Sequence, residues 1–136
     1  MPTTTGQAIV LVVEDEPALR RVARLVLERE GYHVLLADRG EQALARLELG
    51  QAIDLVICDL GLPDVSGLDL YRQLRAAGYH GSFMISSGAD LAATAVEPLP
   101  ADALLLPKPW SVDELERAVR AALAGTGKDA PPPPTA

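Results

Sequence analysis

Runs of apolar, often β-branched residues alternate with segments of helical periodicity along this chain of 136 residues. The first run, IVLVV at Ile9–Val13, has no alternating polar positions, which is typical of a strand covered on both faces. Runs of this kind predict five strands: Ile9–Val13, His33–Ala37, Ile53–Cys58, Ser82–Ser86 and Ala103–Leu106. Repeats of strand then helix favour a parallel sheet with helices on both faces.

Capping residues and apolar stripes predict a helix after each strand. Pro17 suits a helix start, and an apolar stripe follows it as far as Gly31, which favours a stop. The other predicted helices are Glu41–Leu49, Gly67–Ala77 capped by Ser66, Asp90–Val96, and a last one that begins at the S-x-x-E pattern of Ser111 and Glu114. The fourth is expected to be short or irregular because Pro98 and Pro100 truncate it. We therefore predict an α/β fold with a flavodoxin-like, doubly wound parallel sheet of five strands in the order 2-1-3-4-5, and five helices.

Composition argues against several classes of protein. The net charge of −7 disfavours a general nucleic-acid binder, which needs a basic face. The single cysteine, Cys58, lies in an apolar run and predicts a buried thiol rather than a disulfide framework. No stretch approaches the roughly 20 apolar residues of a membrane span, and Met1–Ala8 lacks the pattern of a signal peptide. We therefore expect a cytoplasmic protein that binds neither membrane nor nucleic acid.

One domain flanked by two tails is expected. Residues 1–7 are small and polar, and residues 126–136 are rich in proline, so neither stretch has much apolar surface to bury. We predict disorder in both tails and one ordered domain over residues 8–125.

Polar residues follow four of the predicted strands. Glu14 and Asp15 come after the first strand, Asp59 after the third, Ser87 after the fourth and Lys108 after the fifth. The carboxyl ends of parallel strands meet at one edge of a sheet, where such sheets bind ligands. Three converging carboxylates repel one another unless a cation joins them, and hard oxygen ligands select Mg²⁺, or Mn²⁺. The pattern predicts metal-assisted phosphoryl transfer to Asp59, with Lys108 and Ser87 stabilising the charge.

Four motifs occur together in this chain: VVEDE (Val12–Glu16), ICDLGLPDVSGLDL (Ile57–Leu70), SSG (Ser86–Gly88) and LPKPW (Leu106–Trp110). Together they resemble the receiver domain of bacterial two-component response regulators, over roughly residues 8–125. The resemblance implies that Asp59 is phosphorylated, that Asp15 binds the metal directly and Glu14 through water, and that Gly61 offers its backbone carbonyl to the metal. It also implies that Ser87 and Lys108 bind phosphoryl oxygens, and that a cis Lys108–Pro109 peptide orients the lysine.

Two adjacent serines are candidates for the phosphoryl-binding hydroxyl. The family has a small residue directly after that hydroxyl, and Ser87 followed by Gly88 fits this better than Ser86 followed by Ser87. We therefore assign the role to Ser87.

The chain departs from the family at the position of the usual switch. The family has an aromatic residue three positions before the lysine, where this chain has Leu105. Leucine offers neither aromatic packing nor a phenolic hydrogen bond, and prolines interrupt the predicted fourth helix. Two interpretations stay open: the switch works with leucine and a shorter helix, or this segment orders on phosphorylation or partner binding.

The resemblance implies a single-domain response regulator that accepts its phosphoryl group from a sensor histidine kinase or a histidine phosphotransfer protein. Its output would be binding to a target protein or onward transfer in a phosphorelay. It would catalyse only its own phosphorylation and dephosphorylation, so we do not expect an enzyme with a separate substrate. The surface of the fourth predicted helix, fifth strand and last helix is a candidate for homodimerisation. The alternative is a receiver fold that works as an interaction module without phosphorylation.

Overall fold

The computed structural model describes residues 7–88 and 99–124 of the chain. Its five strands form one parallel sheet: β1 Ile9–Val13, β2 His33–Ala37, β3 Leu55–Cys58, β4 Ser82–Gly88 and β5 Ala103–Lys108. The helices in those two ranges are α1 Pro17–Arg29, α2 Gly40–Glu48, α3 Gly67–Ala76 and α4 Val112–Leu123. The strand order β2-β1-β3-β4-β5 confirms the predicted flavodoxin-like topology. The predicted fourth helix, residues 1–6 of the N-terminal tail and the C-terminal tail lie outside the described residues.

The strand boundaries differ from the prediction at three places, each with a local cause. β3 begins at Leu55 rather than Ile53, because the Asp54 carboxylate accepts a hydrogen bond from the Ile9 backbone N–H at 2.8 Å. β4 and β5 both continue past their predicted ends, because their register pairs Gly88 with Lys108. Lys108 is therefore the last residue of a strand rather than a loop residue.

Three of the helices end in the same way. Gly31, Gly50 and Gly78 follow α1, α2 and α3 with φ of 95°, 82° and 101°, a left-handed conformation that favours glycine. After α1, the Tyr32 N–H reaches back to the Leu27 carbonyl at 3.1 Å, so a carbonyl at the helix end is satisfied. The sequence predicted the stops at Gly31 and Gly50, and these are confirmed.

The core consists of two clusters of buried residues, one on each face of the sheet. α1 and α4 cover one face, here called the α1–α4 face, where Val12, Ile57, Met84 and Leu106 are buried. α2 and α3 cover the other, the α2–α3 face, where Val13, Cys58, Phe83 and Ile85 are buried. Successive residues of a strand face opposite sides. The residues two positions after Val12, Ile57, Met84 and Leu106 therefore also face the α1–α4 side. Those residues are Glu14, Asp59, Ser86 and Lys108.

Cys58 is fully buried, as predicted, and burial raises the pKa of its thiol well above its ordinary value. A thiol that stays protonated is a poor nucleophile. Within the described residues, no helix combines the length and apolar character needed to cross a membrane.

Candidate functional site

Three carboxylates meet where β1 and β3 end. Oxygen atoms of Glu14, Asp15 and Asp59 all lie within 4.8 Å of one another. The backbone keeps this arrangement in register, because the Glu14 N–H donates to the Ala37 carbonyl at 3.0 Å and the Asp59 N–H donates to the Val13 carbonyl at 3.2 Å. Glu14 is buried, Asp59 is half-buried and Asp15 is exposed. The sequence prediction that these acids converge is therefore consistent with the fold.

Lys108 joins two of these carboxylates from the end of β5. Its Nζ lies 2.8 Å from Glu14 Oε1 and 3.1 Å from Asp59 Oδ2. The peptide bond from Lys108 to Pro109 is cis, as the family resemblance implied. The lysine thus occupies the position expected for a group that would neutralise negative charge at Asp59.

The charges in this pocket are unevenly balanced. Burial raises the pKa of Glu14 above its ordinary value of 4.5, and the ammonium of Lys108 and the Glu16 N–H offset this only in part. Burial alone would lower the pKa of Lys108, but its hydrogen bonds to Glu14 and Asp59 outweigh that effect and the pKa is raised. The single ammonium of Lys108 therefore does not fully compensate the burial of the Glu14 carboxylate. The pocket therefore has an excess of negative charge.

The segment after Asp59 folds tightly onto the start of α3. The Gly61 N–H donates to Asp59 Oδ1 at 3.1 Å, and Gly61 pairs with Ser66 in an isolated antiparallel bridge. The Gly67 N–H donates to the Leu60 carbonyl at 2.9 Å. Ser66 caps α3, as predicted, by accepting the Asp69 N–H at 3.1 Å. Asp59 is thus held by a short, closed turn of backbone.

Asp64 is a structural residue that sequence reasoning missed. Its carboxylate accepts the N–H groups of Gly40 and Glu41 at 2.9 Å each, so it caps α2 from a different part of the chain. It also accepts the Val65 N–H at 3.0 Å. Desolvation of the exposed Asp64 carboxylate would by itself raise its pKa slightly, but these backbone donors outweigh it and the pKa lies below its ordinary value of 3.8. A signal was present in the sequence, since Arg39 precedes α2 at the position where a capping side chain is usual.

The two serines of β4 face opposite sides of the sheet. Ser86 faces the same side of the sheet as Met84, and its Oγ accepts a hydrogen bond from Trp110 Nε1 at 3.1 Å. It lines a small cavity together with Glu14, Asp59 and Trp110. Ser87 faces the same side as Ile85, and its Oγ is buried without a hydrogen-bond partner among the residues described. The phosphoryl-binding role predicted for Ser87 stays a prediction, and so does the metal contact predicted for the Gly61 carbonyl.

The outer strand β5 exposes leucine side chains. Leu105, at the position where the family has an aromatic residue, is 46% exposed, and Leu104 beside it is 42% exposed. Val112, at the start of α4, is 39% exposed. The predicted capping box at the start of α4 is confirmed, with Ser111 and Glu114 each bonded to the other's backbone N–H.

Comparison with protein families matches residues 10–120 to the family described as "Response regulator receiver domain". Among curated proteins, the chain is 35% identical over 117 residues to the cell cycle transcriptional regulator CtrA of Caulobacter vibrioides. It is 39% identical over 122 residues to the sensor kinase CckA of Brucella abortus. The matches include 84% and 88% of this chain, but 49% and 13% of those two proteins. The chain thus spans about half of one relative and a small part of the other.

Solved structures give the same comparison at the level of coordinates. The receiver domain of the hybrid histidine kinase CckA matches with a TM-score of 0.73 and 33% identity, over 85% of this chain and 99% of that one. A response regulator receiver domain protein from Clostridium thermocellum matches with a TM-score of 0.72 and 30% identity, over 86% and 94% of the two chains. This chain, with the strand order and the carboxylate cluster described above, is thus similar to nearly the whole of both receiver domains.

Proposed function

The chain belongs to the family of response regulator receiver domains, and from that premise we propose that it accepts a phosphoryl group on Asp59 in two-component signal transduction. The observation that carries the proposal is the convergence of Glu14, Asp15 and Asp59 beside the ammonium of Lys108. The donor would be a phosphohistidine of a sensor histidine kinase or of a histidine phosphotransfer protein. As a single-domain response regulator, the protein would act through contacts with another protein or by passing the phosphoryl group on.

The acidic pocket fits a hard divalent cation. Three carboxylates converge here, the Lys108 ammonium contacts only Glu14 and Asp59, and the buried Glu14 has a raised pKa because that ammonium does not fully compensate its burial. Glu14, Asp15 and Asp59 would hold Mg²⁺, or Mn²⁺, with the Gly61 carbonyl as a further oxygen ligand. The bound cation would supply positive charge to the incoming phosphoryl oxygens.

Asp59 is oriented for nucleophilic attack by groups of its own chain. The Gly61 N–H holds one carboxylate oxygen and Lys108 holds the other. In the proposed step, an Asp59 oxygen forms a bond to phosphorus while the bond from phosphorus to the donor's ring nitrogen breaks, and the nitrogen keeps the electron pair. Lys108 would balance the charge of the phosphoryl group at Asp59, because its ammonium already lies against that carboxylate.

A hydroxyl on β4 would bind a phosphoryl oxygen, and two serines compete for this role. Family resemblance favoured Ser87, whereas the parity of β4 supports Ser86, which shares a cavity with Asp59. Phosphorylation rates of Ser86→Ala and Ser87→Ala would decide between them. A larger loss in Ser86→Ala would assign the hydroxyl to Ser86, and a larger loss in Ser87→Ala would restore the prediction from sequence.

The proposed output surface lies at the outer edge of the sheet. Leu104 and Leu105 of β5 and Val112 of α4 are large apolar side chains that remain exposed. A target protein, or a second copy of this chain in a homodimer, would cover them. Leu104 and Leu105 belong to the strand that ends at Lys108, whose ammonium contacts Asp59, so a partner bound at this edge would contact the strand that carries the lysine.

Intact-mass spectrometry tests the proposal directly. The chain is incubated with Mg²⁺ and acetyl phosphate, a small acyl phosphate, and we expect the mass of one phosphoryl group to be added. Asp59→Asn should abolish the gain. Asp69→Asn is the matched control, because Asp69 is exposed on α3 and pairs with Arg72 rather than with the acidic pocket.

The alternative function, an interaction module that works without phosphorylation, makes the opposite prediction. No mass gain at saturating acetyl phosphate and Mg²⁺ would favour it. A gain that survives in Asp59→Asn would instead place the phosphoryl group on another residue.

A further inference from the structure

Trp110 and Ser86 form a hydrogen bond that links the end of β5 to the acidic pocket. Trp110 Nε1 donates to Ser86 Oγ at 3.1 Å. Ser86 is only 3% exposed, and the half-buried Trp110 packs against the core cluster on the α1–α4 face. Both side chains line the small cavity that also reaches Asp59 and Glu14. The bond is therefore shielded from bulk water and lies beside the nucleophile.

The chemistry of indole fixes the direction of this bond. The indole N–H is a donor only, so the serine oxygen must be the acceptor. The serine proton is then not used in this bond, and within residues 7–88 and 99–124 no acceptor for it is found. Fixing the oxygen in this way restricts the side-chain rotamer of Ser86 while leaving its O–H able to donate. Donation into an oxygen also strengthens the donor power of that oxygen's own proton.

We infer that Trp110 is a positioning residue, which holds Ser86 so that its hydroxyl proton is available to a phosphoryl oxygen on Asp59. This inference rests on the proposed function and adds to it the group that orients the hydroxyl. Phenylalanine at position 110 would keep an aromatic ring but remove the donor. The contribution of Trp110 to phosphorylation therefore lies in one N–H group and requires the Ser86 oxygen.

A double-mutant cycle tests this dependence on the full chain. Initial rates of phosphorylation by acetyl phosphate and Mg²⁺ are measured for the wild type, Trp110→Phe, Ser86→Ala and the double variant. Loss of one neutral hydrogen bond should slow Trp110→Phe roughly two- to tenfold. In the Ser86→Ala background, the same substitution should have no further effect, because the acceptor is already gone.

A second measurement detects the bond without altering the tryptophan. Trp110 is the single tryptophan of the chain, so the side-chain indole N–H gives one NMR cross-peak. This peak should shift in Ser86→Ala and stay in place in Ser87→Ala, since Ser87 faces the opposite side of the sheet. A peak unchanged by Ser86→Ala would overturn the inference even where Trp110→Phe fails to fold.

The outcomes separate this inference from the proposed function. A wild-type protein that is never phosphorylated would overturn both. A wild type that is phosphorylated, together with effects of Trp110→Phe and Ser86→Ala that simply multiply in the cycle, would overturn only the positioning role of Trp110.

Discussion

Replacing Gly67 by alanine tests how tightly the turn after Asp59 packs against α3. A methyl group at Gly67 would lie 2.6 Å from the Asp59 carbonyl oxygen and 3.0 Å from the Leu60 Cα. Both are backbone atoms of the segment that carries the proposed phosphoacceptor, so neither can move aside by a simple side-chain rotation. Accommodation requires the turn and the start of α3 to separate.

Two opposing effects decide the sign of the stability change. Gly→Ala at a position with ordinary backbone angles should stabilise by about 0.4–1 kcal/mol, because alanine restricts the unfolded chain. Forcing a methyl group into a filled space costs about 1–3 kcal/mol. The clash should win, leaving Gly67→Ala less stable by about 1–2 kcal/mol, which corresponds to a fall in Tm of roughly 3–10 °C for a domain of this size.

Urea unfolding of Gly67→Ala and of a matched variant, Gly88→Ala, measures this directly. A methyl group at Gly88 meets nothing within 4 Å among the described residues, and Gly88 has no positive φ, so Gly88→Ala should stabilise the protein by about 0.4–1 kcal/mol. Phosphorylation by acetyl phosphate should also slow in Gly67→Ala, because the displaced backbone carries Asp59. A Gly67→Ala protein as stable as the wild type, or more stable, would refute the close packing described here.

Three other expected outcomes concern the cap on α2, the charge of Glu14 and the binding of Mg²⁺. Asp64→Ala should destabilise the protein by about 0.5–2 kcal/mol through loss of the cap on α2, and Asp64→Asn should have a smaller effect. Because the folded pKa of Asp64 is lowered, the stability difference between wild type and Asp64→Ala in urea unfolding should be present above about pH 4. That difference should shrink as the pH falls through the folded pKa. Glu14→Gln should stabilise the metal-free protein at pH 7, because a carboxyl whose pKa is raised by burial loses its stabilising contribution as the pH rises through the folded pKa. A Glu14→Gln protein no more stable than wild type at pH 7, or one that is still more stable than wild type at pH 4, would contradict this. Mg²⁺ at ten times its Kd should raise the free energy of unfolding by about 1.4 kcal/mol, and Asp15→Asn should reduce this gain, whereas an equal gain in that variant would remove Asp15 from the metal site.

The fold was predictable because its signals are local. Five apolar runs mark the strands, and Gly31 and Gly50 mark helix ends whose left-handed φ disfavours other residues. The convergence of Glu14, Asp59 and Lys108 follows from the topology alone, since parallel strands bring their carboxyl ends to one edge. These parts of the prediction needed no knowledge of side-chain packing.

The role of Asp64 was not predictable in the same way. Its bonds to Gly40 and Glu41 join segments that are far apart in the sequence, and an Asp between Pro63 and Val65 has the usual features of a turn residue. Only the missing cap on α2 hinted that a partner must come from elsewhere.

The choice between Ser86 and Ser87 shows a different limit. A strand that is half-exposed reveals its two faces by alternating polar and apolar residues, but β4 is buried on both faces and carries no such pattern. Phe83, Met84 and Ile85 are all buried, so the sequence gives no sign of which side each one faces. The sizes of neighbouring residues were then the remaining guide, and they favoured Ser87.

The opposite orientations of these two serines also bear on how a signal would leave the site. A phosphoryl group bound by Ser86 would pull on the layer formed by α1 and α4, whereas one bound by Ser87 would pull on the layer of α2 and α3. The direction in which phosphorylation is transmitted therefore depends on whether the hydroxyl stands at position 86 or at position 87 of β4. A hydroxyl at position 87 rather than 86 would face the α2–α3 side and would no longer line the cavity that holds Asp59, so this single shift would change both the direction of the response and the access of the hydroxyl to the phosphoryl group.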